Sequence, residues 1–281
     1  MNAQELAAAR ARLGLDDSLF VQYIRWITGL LHGELGLSLR YKLPVWGVVS
    51  PLIGNTLLLG GTAYLLMFAL AILLAMLCAF YEDTWIDRTI CRIGTALYCL
   101  PSFWLGVLLV LLLGVNLRLL PSSGAYDIGK SGDLLNRLQH LILPLTTMVA
   151  SHLWYYAYMI RNRLLDEVRK DYVLLAKAKG LSRSRILWAH CLRNAAPTIV
   201  NMMAISIPHV LSGTYVVESV FHYPGLGSLS VESAKYHDYN LLMLLVLMTG
   251  VLVILSSMAA QTLNALLDPR INETEGSVWQ K

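Results

Sequence analysis

Five long apolar segments run through this 281-residue sequence and constrain its fold more than any other feature. A helix rises about 1.5 Å per residue, so roughly 20 apolar residues cross the hydrocarbon core of a bilayer. Within lipid such segments form helices, because unpaired backbone groups find no water there. The chain is 56% hydrophobic and only 14% charged, unlike an ordinary soluble domain. The sequence therefore predicts an all-α, polytopic membrane protein with about five transmembrane helices, at 52–80, 93–117, 141–160, 197–217 and 241–263.

The first 50 residues have a different character from these segments. Residues 4–12 form a charged run that favours helix, and Leu19–Leu31 form an amphipathic stretch that contains Tyr23 and Trp26. Apolar and aromatic side chains on one face, with polar ones on the other, are typical of helices that lie on a membrane surface. We expect residues 1–50 to be an external or interfacial segment.

Basic residues decide the orientation, since short cytoplasmic loops hold an excess of Lys and Arg. The connection from Arg161 to Asn194 contains nine basic residues against three acidic ones. It is therefore expected in the cytoplasm, and alternation places the C-terminus there as well. No internal repeat or low-complexity linker divides the sequence. The predicted organisation is an external segment 1–50, one transmembrane domain 51–263 that includes the cytoplasmic loop 161–195, and a cytoplasmic tail 264–281.

A phosphate-loop pattern occurs in the loop 118–140, which alternation places outside. Gly124–Ser131 satisfy G-x-x-x-x-G-K-[ST] letter for letter. A working loop of this kind needs a buried strand before it, a helix after it and a surrounding sheet, so that backbone N–H groups converge on phosphates. That arrangement does not fit between two membrane spans, and Pro121 precedes the motif. We interpret the match as a coincidence and expect no nucleotide hydrolysis by this chain.

The cytoplasmic loop has the pattern of two helices joined by a turn. Leu174, Leu175 and Ala178 have helical spacing, Gly180 supplies a C-terminal stop, and Ser182 is placed to cap the next helix. Small residues around the turn would let a partner's backbone approach closely. Basic residues surround them, which suits an acidic partner surface.

This segment resembles the EAA loop of ABC importer permeases, whose pattern is Glu-Ala-Ala, three residues, Gly, nine residues, then Ile-x-Leu-Pro. Ala176, Gly180 and Leu192 keep the pattern. The subfamily that imports dipeptides, oligopeptides and nickel departs from it, reading Tyr-x-x-x-Ala-x-Ala-Lys-Gly-Leu and then His-x-Leu-Arg-Asn. This chain has the same departures, which are Leu174 for Glu, Leu175 for the first Ala, His190 for Ile and Arg193 for Pro.

The resemblance to this subfamily covers nearly the whole chain. Members usually carry a further transmembrane helix before the external segment. This sequence shows none there, so either its start is misassigned or truncated, or five spans suffice in place of six. The other segments that carry the resemblance are 12–38, Pro101–Leu105, Val217–Gly227 with Asp238–Tyr239, and Leu263–Ile271.

The resemblance implies a non-catalytic permease subunit in the cytoplasmic (inner) membrane that works by alternating access. The implied partners are a second, similar permease, two cytoplasmic ATPases, an external substrate-binding protein and membrane lipid, but no nucleic acid. ATP-Mg belongs to the ATPases, and no cofactor is expected on this chain. The cargo stays open between peptides and nickel or other metal chelates. The predicted ATPase contact comprises Ala176, Lys177, Ala178, Lys179, Gly180 and Leu181, with Arg183 and Arg185 at its rim.

Polar residues inside the apolar segments are candidates for the substrate path, because such groups face protein or water rather than lipid. The alternative interpretation, which we prefer, is that they form hydrogen bonds between helices. Glu218 and the turn 224–227 are expected to shape the external gate. The path candidates are Asn55, Ser102, His152, Asn201, Ser206, His209 and Ser212.

Two other functions are weighed against the importer. An ion-driven secondary transporter would need intramembrane acids, and no Asp or Glu lies centrally in any predicted span. An intramembrane metal enzyme would need clustered ligands, but the histidines lack HExxH spacing. No metal site is predicted. The cysteines form no CxxC pair and are interpreted as small core residues, namely Cys78, Cys91, Cys99 and Cys191.

Overall fold

The computed structural model describes residues 16–267, and of residues 264–267 only the backbone. Within this range the secondary structure is helical, and the single extended feature is an isolated bridge between Leu37 and Pro44. The predicted all-α class is confirmed. The run 4–12 and the tail from residue 268 lie outside the described residues.

Nine helices form the described part of the chain, and two of them contain π-helical turns, at Val110–Asn116 and Ile186–Cys191. The amphipathic stretch predicted at Leu19–Leu31 is the first helix, with the predicted bounds. The helices are α1 (Leu19–Leu31), α2 (Val45–Phe80), α3 (Trp85–Tyr98), α4 (Ser102–Leu109, continued by the first π-helical turn), α5 (Leu134–Val168), α6 (Asp171–Ala178), α7 (Arg183–Val220), α8 (Leu226–Lys235) and α9 (Tyr239–Leu267).

Four of the five predicted apolar segments each lie within one helix, but the segment predicted as one span at 93–117 is divided between α3 and α4. By length and composition, α2, α7 and the part of α9 up to Leu263 are able to cross a membrane. Helices α3 and α4 are long and apolar enough only as a pair, and they are bent by 95° at the break between them, as in a broken span or a re-entrant loop. The break falls at Pro101, which caps α4 and has no backbone N–H to continue α3. Helix α5 contains the predicted segment 141–160 but is not among these apolar helices, so the total of five spans stays a prediction.

Helix α5 is less apolar than α2, α7 and α9 and lies inside the bundle, where it contacts α2, α3, α4 and α7. Helix α2 packs along it with a row of buried small residues, Ala71, Ala75 and Ala79, spaced one turn apart. Small side chains at this spacing let two helix backbones approach closely. Ile160 and Leu164 of α5 are fully buried in the same core.

Helix α3 is attached to α5 by one ion pair and one close contact. Arg161 Nε donates to Asp87 Oδ1 over 2.7 Å, and a second guanidinium N–H donates to Oδ2. Two turns further along α3, Gly94 lies against the indole ring of Trp154. A Cβ atom added at Gly94 would lie 2.6 Å from Trp154 Cε3, so only glycine fits there.

The chain between α1 and α2 is fixed to the segment around α8. Ser38 Oγ and the backbone N–H of Arg40 donate to the carboxylate of Asp238, which is fully buried. Tyr41 donates to Glu232 over 2.8 Å, and Arg40 forms an ion pair with the same carboxylate. These contacts define one end of the bundle, opposite the end that carries the basic loop 161–195.

The substitution Gly94→Ala is expected to lower the free energy of unfolding by about 1–3 kcal/mol, because the added methyl group would force the Trp154 ring out of its position. The matched control is Gly61→Ala, since a Cβ atom there meets nothing within 4 Å. Thermal unfolding of both variants in detergent measures the difference. Equal stability of the two variants would contradict the close packing of α3 on α5.

Candidate functional site

The basic loop folds as the predicted helix, turn and helix. Helix α6 ends at Ala178, and Gly180 follows with a φ of +76°, a left-handed conformation that favours glycine. Ser182 Oγ accepts a hydrogen bond from the backbone N–H of Arg185 over 3.4 Å and so caps α7. The predicted stop and cap are confirmed.

A buried carboxylate attaches α6 to the end of α5. Glu167 is fully buried and accepts hydrogen bonds from Lys170 Nζ over 2.7 Å and from the Tyr172 hydroxyl over 2.9 Å. Arg163 forms a third contact of 3.0 Å with the same side chain. Burial raises the pKa of Tyr172, and its hydroxyl therefore stays a donor. Helix α6 is held by several charge-assisted hydrogen bonds at its first turn.

Two further contacts attach the basic loop 161–195 to the C-terminal end of α2. Arg183 donates to the backbone carbonyl of Ala79 over 3.3 Å, and Arg169 pairs with Glu82 over 3.0 Å. Arg183 also lies 5.7 Å from the centre of the Phe80 ring. The side chain of Arg183, predicted at the rim of a partner contact, therefore contacts this chain itself.

One of the residues that the sequence analysis selected on α6 lies on the buried side of the helix. Ala176 is only 6% exposed and packs with Val173 against the core. Leu174 and Leu175 are 62% and 57% exposed instead. Sequence reasoning missed these two leucines, although the spacing of Val173 and Ala176 indicates the inward side. Of the remaining predicted contact residues, Leu181 is half-buried, and those that are exposed are Lys177, Ala178, Lys179, Gly180, Arg183 and Arg185.

A second buried carboxylate lies at the far end of α7. Glu218 accepts from Thr56 Oγ1 of α2 over 2.8 Å and from the backbone N–H of Ser228 in α8 over 2.9 Å. Thr56 Oγ1 in turn accepts from the backbone N–H of Leu226. A Cβ atom added at Gly225 would lie 2.3 Å from the carboxyl group. A carboxylate at the first turn of α8 is favourable, because free N–H groups point outward there. Glu218 thus joins three helices.

Three of the predicted path residues line one cavity of about 480 Å³ between α3, α5 and α7. They are Asn201, Ser206 and His209. His209 Nδ1 lies 3.3 Å from the hydroxyl of Tyr156, and the imidazole rings of His209 and His152 are 5.1 Å apart. Aromatic and aliphatic residues that the sequence analysis did not select complete the wall, namely Tyr98, Tyr155, Tyr156, Met159, Met202 and Ile205.

The other predicted path residues lie elsewhere. Asn55 donates to the carbonyl of Pro224 and belongs to the Glu218 end of the bundle. Ser102 starts α4, and Ser212 donates to the carbonyl of His209 in its own helix. His152 is buried beside the cavity and contacts the carbonyl of Met148. Hydrogen bonds within the protein account for most of these side chains, which is the second interpretation given above.

The segment 124–131 has no phosphate-loop geometry. Within the described chain no strand precedes it, and Gly124 donates to the carbonyl of Phe221. Lys130 pairs with Asp127 of the same loop over 3.3 Å. The amide of Asn136 and the Lys130 ammonium lower the pKa of Asp127, which stays ionised opposite Lys130. These contacts agree with the interpretation of the motif as a coincidence.

Three curated relatives are similar to this chain over most of their length. The oligopeptide transport system permease protein AppB of Bacillus subtilis (strain 168) is 33% identical over 92% of this chain and 83% of its own length. The dipeptide transport system permease protein DppB of Escherichia coli (strain K12) is 30% identical over 93% and 83%. The metal-staphylopine import system permease protein CntB of Staphylococcus aureus (strain Mu50 / ATCC 700699) is 31% identical over 95% and 83%.

A solved structure of the MetNI methionine ABC transporter in an inward-facing conformation has the same fold. Its matching chain superimposes with a TM-score of 0.67 at 16% identity, over 80% of this chain and 98% of that one. A family model described as the binding-protein-dependent transport system inner membrane component matches residues 71–273. This chain therefore belongs to the binding-protein-dependent transport system inner membrane component family and is a permease subunit of an ABC importer.

Proposed function

We propose that this chain forms half of a translocation path that carries peptides or metal chelates through the cytoplasmic membrane. The names of the three relatives, which specify oligopeptide, dipeptide and metal-staphylopine transport, support this range of cargo. Membership of the importer family favours this function over an ion-driven secondary transporter. A second permease, two ATPases that hold ATP-Mg, and an external binding protein complete the assembly.

The exposed apolar pair on α6 is the observation that carries the proposal. Leu174 and Leu175 project from a helix that Glu167 holds firmly at its start. Exposed leucines next to each other on a rigid helix mark a protein contact, and the adjacent Lys177 and Lys179 suit an acidic rim around it. We assign this surface to the ATPase partner, with the loop and the C-terminus in the cytoplasm.

Helix α7 connects this surface to the opposite end of the bundle. It spans 38 residues, or about 57 Å at 1.5 Å per residue, from Arg183 beside α6 to Val220 beside α8. At its far end Glu218 is bound to α2 and to the start of α8. If the ATPase displaces α6, helix α7 would therefore transmit that motion to the segment around α8. We propose that the Glu218 contacts hold the external gate during this motion.

The cavity beside α7 supplies the wall of the path. Its lining combines tyrosine rings with the polar groups of Asn201, Ser206 and His209 and contains no Asp, Glu, Lys or Arg. Neutral donors and acceptors of this kind can replace the hydration of a peptide or of a chelate's carboxylates without binding either tightly. The second permease would close the open side of this wall.

The substitution Leu174→Asp is expected to abolish co-purification of the ATPases and cargo uptake, because it places a charge in a desolvated apolar contact. The matched control is Ile128→Asp, since Ile128 is fully exposed on the opposite side of the protein. Co-purification in detergent and uptake by vesicles are the measurements. Retention of the ATPases by the Leu174 variant would contradict the assignment of this surface.

The substitution His209→Phe is expected to lower cargo uptake by about fivefold to tenfold, the effect of one lost hydrogen bond of roughly 1 kcal/mol, while the ATPases stay bound. Ser212→Ala is the control, because its hydroxyl bonds only within its own helix. Uptake of labelled peptide at several concentrations distinguishes the two variants. Unchanged uptake in the His209 variant would remove this cavity from the path.

The substitution Glu218→Gln is expected to destabilise the protein by about 1–3 kcal/mol, because the two donors bond to different carboxylate oxygens and one of them would then face the NH2 group of the amide. We also expect loss of uptake with ATPase assembly retained. Glu82→Gln is the control, since it removes an ion pair whose arginine is exposed. Thermal unfolding and uptake are measured together. A Glu218 variant that transports normally would contradict the role of these contacts in the gate.

A further inference from the structure

Three side chains with metal-binding atoms meet where α2 ends and α3 begins. Cys78 is in the last turns of α2, and Asp87 and Cys91 are four residues apart on one face of α3. Their two sulfur atoms and a carboxylate oxygen all lie within 4.8 Å of one another. Cys91 Sγ is 3.6 Å from Asp87 Oδ1. In the described part of the chain this is the one such group of His, Cys, Asp or Glu.

The carboxylate of this group is oriented by residues outside it. Arg161 of α5 donates to both carboxylate oxygens, and the backbone N–H of Asp83 donates to Oδ2 over 3.2 Å. Metal-binding carboxylates are commonly held by such outer hydrogen bonds, which fix the direction of the free lone pair. Asp87 Oδ1 keeps its second lone pair on the side of Cys91.

The site is buried but has an access route. Cys78 is 3% exposed and Asp87 is 2% exposed. Both cysteines and Arg161 line a cavity of about 170 Å³ that continues between α3 and α5 toward Trp154. This cavity provides an entrance and room for a fourth ligand, such as a water molecule.

We propose that Cys78, Cys91 and Asp87 bind one divalent cation of the zinc class. Each thiol loses its proton to water, two metal–sulfur bonds form, and the cavity supplies the fourth ligand. The bound site would carry no net charge, as a buried site requires. The positive charges of the divalent ion and of the Arg161 guanidinium balance the negative charges of two thiolates and one carboxylate. Sulfur ligands select zinc over magnesium or calcium, since those two prefer oxygen alone.

The donor geometry is close to what such an ion needs. In a tetrahedral zinc site, bonds of about 2.3 Å to sulfur and 2.1 Å to oxygen put these two donors about 3.5 Å apart. Cys91 and Asp87 already have this separation. Cys78 is at most 4.8 Å from either, so an approach of about 1 Å closes the site. A bound ion would join α2 to α3. The joined position is next to Ala79, whose backbone carbonyl accepts a hydrogen bond from Arg183 of the basic loop.

The test is titration of the full-length chain with Cd²⁺, a zinc-class probe whose thiolate bonds absorb in the ultraviolet. The protein is purified in detergent without a histidine tag, kept reduced by a phosphine and stripped of metal. We expect one ion per chain by equilibrium dialysis, the thiolate absorption band, and a rise in the unfolding temperature. Zn²⁺ should compete for the same site.

Substitutions of single cysteines distinguish this site from adventitious binding. Cys91→Ser is expected to lose the absorption band and the thermal shift, and Cys78→Ser likewise. Cys99→Ser and Cys191→Ser are matched controls that remove a cysteine elsewhere and should keep both signals. Because Cys91 is only half-buried, its variant is expected to fold even if the Cys78 variant does not. Absence of binding to the unmodified chain, or binding that persists in the Cys91 variant, would overturn the proposal.

Discussion

The close packing of α2 on α5 is the contact on which the rest of this structure depends. A row of small residues on α2, Ala71, Ala75 and Ala79, brings the two helix axes together. In a membrane the attraction between helices comes from such packing and from hydrogen bonds, since lipid offers no hydrophobic drive between them. Once α5 is in the centre, it presents Arg161 to α3 and Glu167 to α6, and both polar groups gain partners that lipid could not provide.

Two buried carboxylates then determine how the ends of the bundle are organised. Glu167 fixes the start of α6, and Glu218 fixes the end of α7 to α2 and α8. Each is satisfied by several donors, which a buried carboxylate needs to offset its desolvation. Helix α7 runs from Arg183 beside α6 to Glu218, with one π-helical turn and two prolines along it, so it links the proposed ATPase surface to the proposed external gate. The neutral cavity beside α7 lies along the same helix.

The proposed cation site follows from the same architecture. Cys78 and Cys91 are far from a CxxC spacing, so their sequence positions gave no reason to pair them. The short turn after Phe80 makes α3 run back beside α2, and Asp87 is drawn toward Arg161 on α5. Two thiols therefore come to lie against a carboxylate that is already oriented. Cysteines that look like core residues in the sequence thus become the proposed ligands.

The sequence by itself determined the helical class, the bounds of α1, the stop at Gly180 and the cap at Ser182. These features depend on hydropathy, on backbone preferences and on hydrogen bonds between residues a few positions apart, all of which a sequence displays directly. The family resemblance was also readable, because its motifs are contiguous.

Only the tertiary structure decided which side of α6 faces outward and which polar residues meet. Ala176 turns inward and Leu174 outward because α6 is docked on α5 through Glu167, a contact that the EAA pattern does not contain. Asn201 and His209 share a cavity with Tyr156, whereas Asn55 serves the opposite end of the bundle. Such groupings depend on how helices distant in the chain pack in three dimensions, and the residues adjacent to a polar side chain in the sequence do not show which helix it will face.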